Sequence, residues 1–140
     1  MLKGIPKIIS PELLKILCEM GHGDEIVIAD GNFPSQNYGK RVVRADGISG
    51  ETVLDAVLEL IPLDTYAKNN FFLMATCKDE AVPPIWEGYR KIASTHDENV
   101  REEQIDRFAF YERAKSAYAV IATGEEAIYA NVILKKGVVQ

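Results

Sequence analysis

Two glycines bracket a histidine at Gly21-His22-Gly23. They permit a tight turn and leave the imidazole uncrowded, free to take up and return a proton near neutral pH. A helix C-cap with a histidine near the negative end of the dipole accounts for the same three residues. Asp30 follows an apolar run and precedes Gly-Asn-Phe-Pro, where an aspartate either forms a turn or presents a carboxylate at a strand end. Asp46, also followed by glycine, reads as a turn former. Arg107 follows Asp106; if Asp106 caps a helix, the guanidinium opposes the dipole by ~0.3–1 kcal/mol, so its charge has a reason to be there. Pairing with Glu103 or Asp106 is the other explanation. Tyr129 and Asn131 are two apart in what reads as the final strand and would share a face. A phenol beside an amide both donates and accepts hydrogen bonds without charge, which suits hydroxyl groups; ordinary strand alternation would also produce the pair.

Other chemistry lacks its apparatus. There is no GxxxxGK[ST], no GxGxxG and no GxSxG, so phosphate cradles and serine nucleophile elbows are missing. Two histidines do not make a histidine-rich zinc site, and His96, in Ser94-Thr95-His96-Asp97, reads as solvated. Cys18 and Cys77 form neither a disulfide framework nor a CxxC pair and read as packing residues. A net charge of -5 gives no electrostatic reason to bind nucleic acid or anionic lipid. With 47% hydrophobic and 26% charged residues the composition is that of a globular protein. The N-terminal residues show neither a signal peptide nor a membrane span, so a cytoplasmic location is expected.

The elements that must position these residues alternate along the chain. Ser10-Pro11 starts a helix whose stripe is Leu13, Leu14, Leu17 and Cys18. The β-branched run Glu25 to Ala29 reads as a buried strand and Arg41 to Ala45 as a second. Ser49 caps a helix carrying Val53, Leu54, Val57, Leu58 and Ile61 until Pro62 interrupts it. Phe71 to Ala75, apolar on both faces, is a central strand. A helix is expected from Pro83-Pro84 to about Ala93, a polar stretch from Ser94 to Glu103, and a helix capped by Asp106 over Phe108 to Lys115. Tyr118 to Ala122 and Ile128 to Leu134 are expected to pair as a hairpin. Such alternation predicts an α/β fold, a three-layer α/β/α arrangement with a mixed central sheet, and 140 residues suit one domain spanning 1–140.

The segments IISPELLKILCEMGHGDEIVIAD, VVRADG, RFAFYERA and YANVILKKG together resemble the fucose mutarotases over essentially the whole chain. The sister D-ribose pyranases share the GHGD-type histidine loop and the C-terminal tyrosine and asparagine but lack a close equivalent of RFAFYERA. The resemblance implies a cofactor-independent isomerase without a metal site, interconverting α- and β-L-fucose. It implies a ring-shaped homo-oligomer, commonly a decamer, with His22 as general acid/base and Asp30, Arg107, Tyr129 and Asn131 contacting the sugar. Where some members carry a histidine after the strand-end aspartate, this chain has Asn32, which puts a proton relay there in question. Tyr111 or Trp86 would cover the apolar C–H face of a 6-deoxy sugar. A pyranase for ribose or another sugar, and a non-catalytic fucose-binding partner, are the alternatives. His22 and Asp30 lie at opposite ends of one strand, roughly 17–20 Å apart at ~3.3 Å per residue. The sugar site is therefore expected to draw on two subunits.

Overall fold

A computed structural model describes residues 1–140. Its elements are α1 (Pro11–Glu19), β1 (Glu25–Ala29), α2 (Ser35–Tyr38), β2 (Val42–Ala45), α3 (Gly50–Leu58), β3 (Phe71–Met74), α4 (Ile85–His96), β4 (Glu102–Ile105), α5 (Arg107–Ser116), β5 (Ala119–Thr123) and β6 (Val132–Lys135). Three helices begin where a side-chain oxygen meets an otherwise unpaired amide. Ser10 accepts from Leu13, Ser49 from Thr52 and Asp106 from Ala109.

The six strands form one sheet in the order β2-β5-β1-β6-β3-β4. β6 runs antiparallel to both its neighbours, and the other five strands are parallel to one another. Alternate side chains of the central strands enter two apolar layers. Ile26, Ile28, Phe71, Leu73, Val132 and Leu134 meet α1, α3 and α4. Val27, Ala29, Phe72, Met74, Val120 and Ile133 meet α5 on the other face. The three-layer α/β/α expectation with a mixed sheet holds.

Four expectations about elements are corrected. β5 and β6 do not form a hairpin, because β1 lies between them. Every residue of β5 is buried, a position that needs partners on both edges. The turn beyond it is tied to the ends of β1 and β2: Thr123 Oγ1 donates to the Ala29 carbonyl at 2.6 Å, and Gly124 N–H to that of Ile48 at 2.9 Å. β6 starts only at Val132, so Tyr129 and Asn131 precede it, and Tyr129 has a left-handed backbone with φ of 54°. The polar stretch from Ser94 holds the end of α4 and then β4, an edge strand whose solvent-facing polar residues hide its pattern. Cys18 and Cys77 are exposed; Ile16 takes the buried place in the α1 stripe that Cys18 was expected to fill.

Candidate functional site

A pocket of about 260 Å³ opens where the parallel strands end, lined by residues that include Asp30, Asn32, Met74, Glu80, Arg107, Tyr111, Tyr129 and Asn131. Asp30 follows β1, Met74 closes β3, Arg107 starts α5 just beyond β4, and Asn131 immediately precedes β6. Loops at the carboxyl ends of parallel strands are where α/β folds place ligands.

Asp30 and Asn131 lock together at the pocket floor. The Asp30 N–H donates to Asn131 Oδ1 at 2.7 Å, and Asn131 Nδ2 donates back to Asp30 Oδ2 at 3.0 Å. Asp30 Oδ1 accepts from the Asn32 amide at 3.0 Å. The two residues are 5% and 3% exposed, and burial raises the Asp30 carboxyl above its ordinary value despite these donors. An acceptor so held is set to receive hydroxyl hydrogens at fixed positions.

Tyr129 is held from behind by α4. Trp86 Nε1 donates to the Tyr129 carbonyl at 2.8 Å, and the Tyr89 hydroxyl donates to that of Ala130 at 3.0 Å. These two bonds hold Tyr129 in a conformation that non-glycine residues seldom adopt. The Cys77 amide donates to the Tyr129 hydroxyl at 3.4 Å. Hydrogen bonding with Cys77 and Glu80 pushes that hydroxyl up to about 12. Trp86 is buried behind this turn, so the expectation that it faces a ligand is corrected, whereas Tyr111 does line the pocket. Tyr111 is braced by a stacked Tyr38, with ring centroids 4.8 Å apart, and by Phe33 edge-on at 5.5 Å.

Arg107 occupies the first position of α5 after its Asp106 cap, as expected. Glu103 accepts from Asn69, and Asp106 from the Ala109 amide; the guanidinium lies instead 4.9 Å from the centre of Phe108 and 5.9 Å from that of Tyr111. Asp46 pairs with Arg44 on the surface. His96, expected to be solvated, packs between α4 and α3 with its ring 16% exposed, bonded to Asp55 at 2.6 Å.

His22 is the one expected site residue outside this pocket, at the opposite end of the sheet in the turn between α1 and β1. Its Nε2 lies 2.9 Å from Asp64 Oδ1. Asp64 is nearly enclosed, its side chain 4% exposed against 45% for His22. Burial alone would push the Asp64 carboxyl up, but the Tyr66 amide and His22 more than offset it and hold it below the usual range. An ionised carboxylate only accepts, so Nε2 is the donor in this pair, and in the neutral imidazole Nδ1 then presents the lone pair. Asp64 gives no signal in the sequence beyond its place two residues after Pro62, in the connection that follows α3, a helix that ends at Leu58 rather than running on to Pro62 as expected. Glu80 and Met74, likewise missed, come from the β3–α4 connection and a strand end.

The chain is 49% identical to the mouse (Mus musculus) fucose mutarotase over 143 residues, covering 97% of this chain and 94% of that protein. Among solved structures, the Streptococcus pneumoniae fucose mutarotase in complex with L-fucose superimposes with a TM-score of 0.95 at 48% identity, covering 99% of this chain and 100% of that one. Bacillus subtilis RbsD complexed with D-ribose covers both chains fully at a TM-score of 0.74 and 26% identity. With residues 3–139 also matching it, the chain belongs to the RbsD / FucU transport protein family.

Proposed function

We propose that this chain is an L-fucose mutarotase, an isomerase that interconverts the α and β anomers by opening and reclosing the pyranose ring. Its likeness to the fucose mutarotases, much closer than to the ribose-binding RbsD structure, favours fucose over ribose. The observation that carries catalysis, rather than binding alone, is the half-exposed imidazole oriented by an ionised, buried Asp64. A ligand-binding module has no need of that arrangement.

In the reaction a base takes the proton of the anomeric hydroxyl while an acid protonates the ring oxygen. The C1–O5 bond breaks and a carbonyl forms at C1; the aldehyde turns about C1–C2, and the ring oxygen attacks its other face. Protons return in reverse order, and nothing is transferred. His22 Nδ1 is the group that takes and gives back the proton, a contribution of about 10²- to 10⁴-fold. The Asp30–Asn131 couple and Arg107 hold hydroxyls, Tyr129 donates from a hydroxyl kept protonated, and Tyr111 covers the apolar face of the sugar.

His22 and this pocket lie at opposite ends of the sheet, so one sugar meets all five residues only when a second copy brings its His22 to the pocket. We extend the proposal to a ring-shaped homo-oligomer, a decamer, built from single 140-residue domains and working in the cytoplasm. Phe108 and Ile128, 68% and 59% exposed beside the pocket, supply apolar rim for that contact.

Saturation-transfer proton NMR on equilibrated L-fucose tests the proposal. Exchange between the anomeric signals should speed up with the protein, less so for D-ribose, and fall to the buffer rate with His22→Ala. A folded protein that binds fucose yet leaves exchange at the buffer rate would make it a binding partner instead.

A further inference from the structure

Lys136 stands where two chain segments that hold the proton-transferring pair come together. Its backbone faces the histidine turn: the Gly23 N–H donates to the Lys136 carbonyl at 2.8 Å, and the Lys136 N–H donates to the Asp24 carbonyl at 2.8 Å. Its neighbours face the other segment. The Asp64 N–H donates to the Lys135 carbonyl at 2.9 Å, the Gly137 N–H donates to that of Pro62 at 2.9 Å, and Leu63 bridges to Lys136. A Cβ at Gly137 would come within 2.5 Å of the Leu63 carbonyl oxygen, so the two segments approach there as closely as backbones can.

The Lys136 side chain adds a third tie. Its ammonium donates to the Leu17 carbonyl at 2.9 Å and to that of Met20 at 2.6 Å. Those are terminal carbonyls of α1 and its cap, where a cation also meets the negative end of the dipole. The last turn of α1 carries no basic residue of its own. The ammonium thus fixes the chain entering the turn at Met20, the peptide groups of Lys136 fix the chain leaving it at Gly23 and Asp24, and His22 lies between.

We infer that Lys136 is a positioning residue for the acid/base reaction, holding the His22 turn at the distance from Asp64 that keeps the imidazole as its Nε2–H tautomer. The inference rests on His22 being the proton-transferring group. It predicts a separable defect, because Asp30, Arg107, Tyr129 and Asn131 lie at the other end of the sheet and keep their contacts when the ammonium is lost.

Lys136→Met keeps the stem and removes the donors. The kcat for anomer exchange should fall by about 10- to 100-fold, the range that sub-ångström to ångström misplacement of a catalytic group brings, with the fucose KM within about twofold of the parent. The His22 imidazole ¹⁵N signals should move from a fixed Nε2–H pattern towards a tautomer average, a change that loss of stability alone does not produce. Lys136→Gln, which keeps one amide donor for the carbonyls, should retain more activity than Met and serves if the Met variant does not fold. A folded variant with parental kcat and parental imidazole signals, beside an inactive His22→Ala, overturns the role of Lys136 alone. An active His22→Ala overturns both it and the acid/base assignment.

Discussion

Tyr89 and Gly50 give the sharpest test of how the pocket is held from beneath. The Tyr89 hydroxyl is fully buried and donates to the Ala130 carbonyl at 3.0 Å, a carbonyl outside every strand. Tyr89→Phe leaves that acceptor without its partner, which costs about 1–3 kcal/mol. The same hydroxyl explains why residue 50 is glycine at the first position of α3. A Cβ there would overlap the Tyr89 hydroxyl and lie 3.1 Å from Cζ. Gly50→Ala alone should therefore cost about 1–3 kcal/mol by overpacking, although alanine is the better helix former. Once the hydroxyl is gone the worst overlap goes with it, and a small tilt of the ring relieves the rest. The double variant should be more stable than the sum of the single effects by about 1 kcal/mol or more. Urea unfolding of the four proteins at one protomer concentration measures the cycle, since the proposed assembly would make apparent stability concentration-dependent. The fucose KM of Tyr89→Phe should rise about three- to tenfold as the Tyr129–Asn131 turn loosens, ~0.6–1.4 kcal/mol of binding. Additivity within about 0.3 kcal/mol, or an unchanged KM, would refute the claim that Tyr89 supports the turn through that hydroxyl.

The remaining expectations concern protons. Against its burial, the Tyr66 amide and His22 hold the Asp64 carboxyl below its ordinary value, so the stability it adds is complete at neutral pH and is lost as pH falls through the depressed value. The stability gap between the parent and Asp64→Asn should therefore shrink as pH falls below about 4, where a free aspartate takes up its proton; a gap that stays constant in acid denaturation excludes this linkage. Tyr129 keeps its proton up to about 12, so the activity profile should show no alkaline fall from this group near 10, where free tyrosine ionises. Glu80→Gln, which removes a partner carboxylate, should bring any such fall to lower pH, and an unmoved profile would separate Glu80 from Tyr129.

Much of this fold is legible in local signals, and what was missed has physical causes. Ser10, Ser49 and Asp106 mark helix starts because capping is a short-range bargain between one side chain and the next turn. β1, β3 and β5 announce themselves by apolar runs, since central strands are buried on both faces. β4 does not, because an edge strand with residues Glu102, Glu103 and Gln104 looks like a loop. Sequence proximity predicts a β5–β6 hairpin that the sheet does not contain. The actual order is decided by non-local partners, among them the Thr123 bond to Ala29. The site divides the same way. Asp30, Arg107, Tyr129 and Asn131 were named from the chain and do share one pocket. Asp64 was missed because its only distinguishing property, burial against His22, is created by packing between residues 42 positions apart. His96 reads as solvated for the same reason, as its partner Asp55 lies on another helix.

The reversal of one strand accounts for the placement of both halves of the proposed chemistry. Five parallel strands deliver their carboxyl ends to one edge of the sheet, and that alone would gather Asp30, Met74 and Arg107 there. β6 runs the other way between β1 and β3, so it is the start of β6, not its end, that meets this edge. The turn before it brings Tyr129 and Asn131 into the pocket, and Asn131 locks onto Asp30. The end of β6 then emerges at the opposite edge, beside the starts of β1 and β3, and ties the histidine turn to the segment carrying Asp64 through Lys135, Lys136 and Gly137. A four-residue strand thus carries the groups proposed to bind hydroxyls at one end and the scaffold of the proposed proton-transferring pair at the other. The two ends cannot meet within one copy, because the strand between them is rigid and buried. On the mechanism proposed above they would meet only between copies, so the antiparallel insertion of β6 that completes the sheet would also make the proposed assembly a condition of catalysis.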